Sequence, residues 1–295
     1  MMKRSTVIFV AAAVLLALAI TFFTNFGYIE DLNDNFHNQE YEPDGSTLTV
    51  HFIDVGQADC ELITLPTGEV MLIDAGNNDD GEMVVRYIQD LGISKIDYLI
   101  GTHPHEDHIG GLDYVIYNFS IGNVYLPDVA ATTKTYNDVI SAIENKGLSV
   151  TTAEDGVTIY SGPETLIDII APVGSGYTSL NNYSAVVRLR YGNSSFLFTG
   201  DAETESENEI TADVRSDVLK VGHHGSSTSS SRKFLDRVDP TYAVISCEKG
   251  NSYGHPHTET LESLDNIDCI VYRTDKSGTI ICKTDGKNYF WESER

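Results

Sequence analysis

The sequence of 295 residues is poor in basic side chains: 19 lysines and arginines stand against 44 aspartates and glutamates, and the formal net charge is −25. This excess of acid argues against a protein that binds nucleic acid tightly through a basic face, because such binding depends on neutralising phosphates. It does not exclude an enzyme that contacts a phosphate only at a metal site. Hydrophobic residues make up 41% of the chain, which excludes wholesale disorder and suffices for a packed domain.

Cysteine is also scarce, and the spacing of the four cysteines matches no zinc knuckle and no C-x-x-C pair. Cys269 and Cys282 lie on either side of Asp275, in a stretch that resembles a hairpin. They could face each other and form a disulfide outside the cell. The favoured interpretation is that both are unpaired, buried, small apolar side chains.

Only one segment has the length and apolar character of a membrane span. No charged residue occurs from Thr6 to Phe23, and Lys3 and Arg4 precede this run. Its length is at the lower edge of what spans a bilayer, about 17–25 residues. The positive charges before the run predict that the N-terminus is cytoplasmic and that the rest of the chain lies outside.

A cleavable signal peptide is the alternative, because Ala17-Leu18-Ala19 fits a cleavage site. The apolar residues just beyond that site favour an anchor. We therefore predict an N-terminal membrane anchor or signal peptide at residues 1–25, a linker at 26–46 and a folded domain at 47–295. The protein is expected to be extracytoplasmic, either membrane-anchored or secreted.

From Thr47 onward, short β-rich runs occur first in clusters and then alternate with helical patterns. This order predicts an α/β domain in which two mixed sheets are covered by helices, in four layers. Strands are predicted at 48–54, 61–65, 70–74, 96–101, 123–126, 166–171, 185–191, 196–199, 218–221, 243–246, 269–272 and 279–282, and helices at 82–91, 112–119, 137–146, 203–211, 229–238 and 258–264.

The strongest functional signal is a histidine-rich motif that follows the predicted strand 96–101. His103, His105, Asp107 and His108 form the pattern H-x-H-x-D-H. Imidazole and carboxylate groups at this density suit zinc, manganese or iron. His103 and His105 can point one way and Asp107 and His108 another, so this loop can serve two metals.

Further candidate ligands follow other apolar runs in the second half of the chain. Asp201 ends a predicted strand, as a carboxylate that bridges two metals would. His223 and His224 follow another strand, and Tyr253-Gly254-His255-Pro256-His257 adds two more histidines. Seven of the nine histidines lie in these three clusters, which favours one shared site. Asp74, also at a strand end, is interpreted as a carboxylate that orients a histidine ligand.

The order of these motifs resembles the metallo-β-lactamase superfamily. Several segments are similar to the hydrolase domain of ComEC-type competence proteins: residues 52–59 (FIDVGQAD), 182–184 (NYS), 219–226 (LKVGHHGS) and 253–257 (YGHPH). The resemblance extends over about residues 47–290. The motif at 219–226 is also similar to that of phosphorylcholine esterases of cell-wall-associated proteins. One hydrophobic segment cannot form the channel of full competence proteins.

The resemblance implies an αββα fold with two divalent metal ions, zinc or manganese, at the edge of the sheets. It places one metal on His103 and His105 and the other on Asp107, His108 and a histidine of the 223–224 pair, which we expect to be His224. Asp201 would bridge the two. Many relatives supply a third histidine to the first metal, whereas this chain has Asn181-Asn182-Tyr183-Ser184 there. The first metal is therefore expected to be held less tightly.

A carboxylate at position 201 favours a hard dinuclear site suited to phosphate oxygens, and so favours phosphodiester over β-lactam hydrolysis. We expect Asp107, His223 and His255 to take part in catalysis. Lys220 and Ser226 are further candidate phosphate contacts, although Ser226 is equally a turn residue.

Three functions remain open. The first is an exported phosphodiesterase or nuclease, with single-stranded DNA among its candidate substrates. The second is a phosphorylcholine-type esterase that acts on wall or lipid polymers. The third is a catalytically idle, metal-stabilised binding module, against which the intact H-x-H-x-D-H motif argues.

Overall fold

The computed structural model describes residues 45–295. The predicted membrane segment at 1–25 lies outside the described residues, and so does the predicted linker at 26–46 apart from its last two residues. Within residues 45–295, no helix is both long and apolar enough to cross a bilayer.

The described residues form fifteen strands, joined by helices. The strands are β1 (Leu48–Phe52), β2 (Glu61–Thr64), β3 (Val70–Ile73), β4 (Lys95–Ile100), β5 (Ser120–Leu126), β6 (Val150–Thr152), β7 (Val157–Ser161), β8 (Thr165–Ala171), β9 (Val186–Tyr191), β10 (Ser194–Phe198), β11 (Val218–Lys220), β12 (Tyr242–Ile245), β13 (Ile270–Arg273), β14 (Ile280–Thr284) and β15 (Tyr289–Ser293). The helices are α1 (Gly81–Asp90), α2 (Glu106–Ile109), α3 (Leu112–Asn118), α4 (Lys134–Asn145), α5 (Thr204–Glu209), α6 (Arg232–Val238), α7 (Thr258–Asp265) and α8 (Thr274–Ser277).

These strands build two mixed sheets. The first has the order β15-β14-β1-β2-β3-β4-β5-β6, and the second has the order β13-β12-β11-β10-β9-β8-β7. Strands β3 to β6 run parallel to one another, as do β10 to β13. The remaining neighbours are antiparallel, so each sheet is mixed as predicted.

The two sheets pack face to face, and helices cover both outer faces. Phe52 of the first sheet and Phe196 and Phe198 of the second lie in the central core. A second core forms where α1, α3 and α4 pack on the first sheet, and a third where α6 and α7 pack on the second. The helices of these two outer cores turn apolar side chains toward the sheets, as α1 does with Val84, Val85 and Ile88. The predicted four-layer αββα architecture is therefore confirmed.

The structure differs from the sequence prediction at the sheet edges. Strands β6, β7 and β15 were not predicted, and all three are edge strands with little or no buried face. Without a buried face, a strand lacks the alternating pattern by which it would be recognised.

The predicted hairpin around Asp275 is wrong. Strand β13 belongs to the second sheet and β14 to the first, and α8 lies between them. Cys269 and Cys282 consequently lie on different sheets, and all four cysteines are unpaired. Cys282 is buried, whereas Cys269 is half-buried.

The parallel strands place the candidate ligands at one edge of the domain. In the first sheet, β3 leads to Asp74 and β4 to the histidine motif; in the second sheet, β10 leads to Asp201 and β11 to the histidine pair. Because the carboxyl ends of parallel strands meet at the same edge, the four loops converge.

Candidate metal centre

Four side chains from the two sheets meet in a compact group, which we call the Asp201 cluster: Asp107, His108, Asp201 and His224. One donor atom of each lies within 4.8 Å of the others. His108 Nε2 is 3.2 Å from Asp201 Oδ1, and His224 Nε2 is 3.3 Å from Asp107 Oδ2. Each sheet contributes two of the four donors. His108, Asp201 and His224 are buried, while Asp107 is half-buried.

The Asp201 cluster fits a divalent metal. His108 Nε2 and Asp201 Oδ1 are buried and have no hydrogen-bond partner among the described residues. Leaving such groups buried and unpaired is costly, whereas a cation between them would satisfy both. Two imidazole nitrogens and two carboxylate oxygens form a donor set suited to zinc or manganese.

Asp74 fixes the orientation of His108. Its Oδ2 lies 2.7 Å from His108 Nδ1, and its two oxygens accept hydrogen bonds from the Thr102 backbone N–H (2.7 Å) and hydroxyl (2.6 Å). The Nδ1–H therefore points to Asp74, which leaves Nε2, 3.2 Å from Asp201 Oδ1, as the atom that would coordinate a metal. The predicted contact between Asp74 and a histidine of the motif is confirmed.

His103 and His105 lie on the other side of Asp201. His103 Nε2 is 4.0 Å from Asp201 Oδ2, and it is hydrogen-bonded at 2.9 Å to His105 Nδ1. The donors predicted for the first metal are thus adjacent but directed partly at each other. Ser184 belongs to the segment 181–184, where many relatives supply a third histidine; its hydroxyl lies 3.3 Å from His103 Nδ1 and accepts the Asp201 backbone N–H at 3.1 Å. Ser184 therefore braces two candidate ligands.

The histidine pair lies in a tight turn directly after β11, in agreement with its predicted position after a strand. Strand β11 ends at Lys220, and the turn Gly222–Gly225 holds both histidines in the left-handed region, with φ of 51° for His223 and 52° for His224. Their rings still diverge, with centroids 6.2 Å apart. His224 joins the Asp201 cluster, whereas His223 Nε2 lies 3.6 Å from Asp201 Oδ2 and its Nδ1 lies 3.0 Å from the Thr228 hydroxyl.

His255 lies beside the histidine pair but outside the Asp201 cluster. Its ring centroid is 5.6 Å from that of His223, and its Nδ1 is 3.2 Å from Gln57 Nε2. Burial, and then the positive charge of neighbouring histidines, lowers the pKa of His255 to about 4. The imidazole is therefore neutral near pH 7.

Lys220 was predicted as a phosphate contact, and the structure contradicts this. The side chain is only 1% exposed, and its Nζ lies 2.6 Å from the equally buried Asp59 Oδ2. Ser226 is likewise buried in the turn, where its backbone N–H donates to the His223 carbonyl. Sequence reasoning assigned Asp59 no role, although it falls within the segment FIDVGQAD that carried the resemblance.

The electrostatics of the cluster keep its carboxylates ionised. Burial works against ionisation of Asp201, but the imidazoles of His108 and His224 outweigh it and hold the pKa of Asp201 well below its usual range. The pKa of Asp107 is also lowered, because His108 and His224 outweigh the effect of burial. Both carboxylates are therefore available as metal ligands near neutral pH.

Two clefts open beside the cluster. The first, about 590 Å³, is lined by Asp54, Val55, Gly56, Gln57, Asn77, Asp80, Glu106, Asp107, Glu248 and Tyr253. The second, about 400 Å³, is lined by Thr178, Ser179, Asn182, Glu203, Thr204, Glu205 and Thr228. Neither of these two clefts, as formed by residues 45–295, is lined by a lysine or arginine.

Comparison with known proteins gives a consistent result. Residues 53–249 match the family model described as the metallo-beta-lactamase superfamily. ComE operon protein 3 of Bacillus subtilis is 31% identical over 252 residues, which cover 78% of this chain and 32% of that protein. Recombination protein 2 of Haemophilus influenzae is 31% identical over 240 residues, which cover 79% of this chain and 28% of that protein.

The chain therefore spans about a third of the length of the curated relatives it matches. Among solved structures, CmlA, a diiron β-hydroxylase from Streptomyces venezuelae, aligns with a TM-score of 0.49 at 15% identity, over 77% of this chain and 52% of that chain. A likeness of this size carries no conclusion about chemistry.

Proposed function

The chain belongs to the metallo-β-lactamase superfamily, and from that premise we propose that it is a phosphodiesterase whose activity depends on divalent metal held at the Asp201 cluster. When bound, such an ion lowers the pKa of water and stabilises negative charge that develops on the substrate. The chain's own residues orient the ligands, position the substrate and move protons.

The position of Asp201 carries the proposal. Its Oδ1 faces His108 at 3.2 Å, while its Oδ2 faces His223 at 3.6 Å and His103 at 4.0 Å. A carboxylate that presents one oxygen to each group of imidazoles is suited to bridging two hard cations. Such a centre suits phosphate oxygens. This arrangement supports phosphodiester hydrolysis over β-lactam hydrolysis.

The remaining predicted catalytic residues have distinct roles in this proposal. His223 lies next to Asp201 Oδ2 yet remains partly exposed, so it can donate a hydrogen bond to a phosphate oxygen. His255 is neutral and can also donate. Asp107 is ionised, so it can act as a ligand and accept a hydrogen bond from a bound water, but its lowered pKa makes it a weak proton acceptor.

Nucleic acid is one candidate substrate. The matched relatives are named for a competence operon and for recombination, which supports a DNA-related substrate. We favour single-stranded over duplex DNA because a single strand carries about half the charge per unit length, and the acidic clefts and the net charge of −25 disfavour a dense polyanion.

The lining of the first cleft favours a second candidate, a phosphodiester with a cationic head group. Glu106, Asp107 and Glu248 bring carboxylates to this cleft, and the Tyr253 ring is 67% exposed at its edge. Carboxylates and an open aromatic face both attract a quaternary ammonium group. A phosphorylcholine-type esterase therefore remains the alternative.

A substrate panel tests the proposal. The full chain, loaded with zinc or manganese, is assayed with single-stranded DNA, bis(p-nitrophenyl) phosphate and p-nitrophenyl phosphorylcholine. Asp201→Ala serves as the inactive control and Asp213→Ala, an exposed carboxylate, as the matched active control. Hydrolysis of the diesters should fall by orders of magnitude in Asp201→Ala alone. Metal binding without turnover of any of the three would support an idle binding module instead.

We further propose that the domain is extracytoplasmic and membrane-anchored or secreted. The proposal rests on Lys3 and Arg4 before the uncharged run from Thr6 to Phe23. Protease added to intact cells should digest the domain. Digestion only after lysis would contradict this placement.

A further inference from the structure

We propose that the buried ion pair between Asp59 and Lys220 is a positioning device that holds the two halves of the metal centre at the right separation. The pair touches no substrate and acts through His224 and Asp107. The inference rests on the metal-dependent part of the proposed function and is independent of which bond is hydrolysed.

The pair joins the two sheets directly behind the ligands. Asp59 belongs to the segment between β1 and β2 of the first sheet, and Lys220 is the last residue of β11 in the second. Lys220 Nζ lies 2.6 Å from Asp59 Oδ2 and donates to the Val221 carbonyl at 3.2 Å. Both side chains are 1% exposed. Moving two charges out of water costs free energy that their mutual attraction does not always recover. A buried ion pair is therefore weak evidence that its role is only to stabilise the fold.

Asp59 reaches a ligand on each side of the centre. Its Oδ1 lies 3.2 Å from His224 Nδ1, on the edge of the ring opposite the Nε2 that faces Asp107. Its backbone N–H donates to the Asp107 carbonyl at 3.0 Å. Asp59 thus contacts one ligand from the first sheet and one from the second, and Lys220 fixes where its carboxylate lies.

His224, like His108, is held through its Nδ1. His224 Nδ1 donates to the Ser246 carbonyl at 3.1 Å, and Asp59 Oδ1 lies 3.2 Å from the same nitrogen without accepting a hydrogen bond, so the Nδ1 proton lies on that side and Nε2 faces the Asp201 cluster. A carboxylate behind a metal-binding imidazole raises its basicity and fixes its ring. Asp74 does this for His108, and for His224 the Ser246 carbonyl accepts the hydrogen bond while Asp59 adds a negative charge 3.2 Å from Nδ1.

The positioning role of Asp59 can be tested by measuring metal affinity, which requires no substrate. In the full chain, Asp59→Asn keeps the shape of the side chain and removes its charge. We expect the Zn²⁺ affinity, measured by competition with a chromophoric chelator, to fall by about 10- to 100-fold. Glu292→Gln, which breaks the half-exposed Lys283–Glu292 pair within one sheet, is the matched control and should leave the affinity unchanged.

The double variant Asp59→Asn/Lys220→Met separates positioning from folding, because it removes both charges of the pair together. We expect the melting temperature of its metal-free form to approach that of the wild type, while its Zn²⁺ affinity stays 10- to 100-fold low. Wild-type affinity in either the single or the double variant would overturn the proposal. If Asp59→Asn alone fails to fold, the double variant decides.

Discussion

At the residue scale, His223 and His224 are neighbours in the chain with different surroundings. His224 is buried with its Nε2 3.3 Å from Asp107, whereas His223 is partly exposed and lies beside the other oxygen of Asp201. His224→Ala should therefore lose metal from the Asp201 cluster. His223→Ala should keep that metal but turn over about 10²- to 10³-fold more slowly, as expected for loss of one donor to the reacting oxygen.

Metal content per protein, measured beside activity for both variants, checks this assignment. If His223→Ala is the variant that loses metal, the roles are reversed. If neither variant changes metal content or rate, the histidine pair lies outside the working site.

His51 gives a prediction about stability that does not involve the metal centre. It is buried on β1 with its Nδ1 2.8 Å from the Tyr87 hydroxyl, and burial, with a smaller effect of Lys283, lowers its pKa to about 4. In the unfolded chain the pKa returns to the ordinary value of 6.5. Between these two values the unfolded chain binds more protons, so the free energy of unfolding falls as the pH falls from 6.5 towards 4.

The variant His51→Asn removes this titration while keeping a polar group near the Tyr87 hydroxyl. On lowering the pH from 7.5 to 5.0, the wild type should lose about 2 kcal/mol more stability than the variant. Urea unfolding at the two pH values measures the difference. Parallel pH profiles would show that His51 titrates alike in the folded and unfolded states.

At the element scale, the turn Gly222–Gly225 is pressed against the loop that carries His255. Gly225 has a φ of +85°, and a Cβ atom there would lie 2.5 Å from Pro256 Cβ. Gly156 has a similar φ of +89°, and a Cβ atom added there would have no atom within 4 Å. Gly156→Ala therefore measures only the free energy lost when a non-glycine residue adopts the left-handed backbone.

Gly156→Ala should therefore cost about 1–2 kcal/mol of stability, from the left-handed backbone alone. Gly225→Ala should lower the stability by about 1–3 kcal/mol more than Gly156→Ala does, because Pro256 must also move. Since His255 moves with it, turnover should fall in Gly225→Ala and stay normal in Gly156→Ala. Urea unfolding and a diester assay on both variants test the prediction, and equal losses would show that the contact with Pro256 is relieved without cost.

Much of the fold could be predicted at this scale because the central strands are largely buried. β3 is buried throughout and β4 is buried at its last two residues, and the chain continues from them into Asp74 and the histidine motif. The strands β6 and β15 could not be predicted, since their partly or fully exposed side chains do not alternate between apolar and polar residues. Within the site, Lys220 was misjudged because its burial depends on β11 lying between β10 and β12, which the local sequence does not show.

At the scale of the whole molecule, charge limits which substrates approach the centre. The chain carries a net charge of −25, and the first cleft concentrates carboxylates beside Asp107. Such a field repels a polyanion and attracts a cation over roughly a Debye length, about 8 Å at physiological salt. In the proposed function, both candidate substrates would present a phosphodiester to the same metal centre, so the charge of the cleft is the property expected to distinguish between them.

Glu248 is the side chain with which to test this, because it lines the first cleft and is exposed. Glu248→Gln should lower the KM for a single-stranded oligonucleotide by about two- to threefold and raise that for p-nitrophenyl phosphorylcholine by a similar factor, with kcat unchanged. Both changes in KM should become smaller at 1 M salt.

Glu144→Gln is the control, because Glu144 is exposed on α4 and lines neither cleft. It removes the same charge and should change neither KM. Equal shifts in the two variants would mean that net charge, and not the cleft, governs access; shifts in the same direction for both substrates would exclude charge selection altogether.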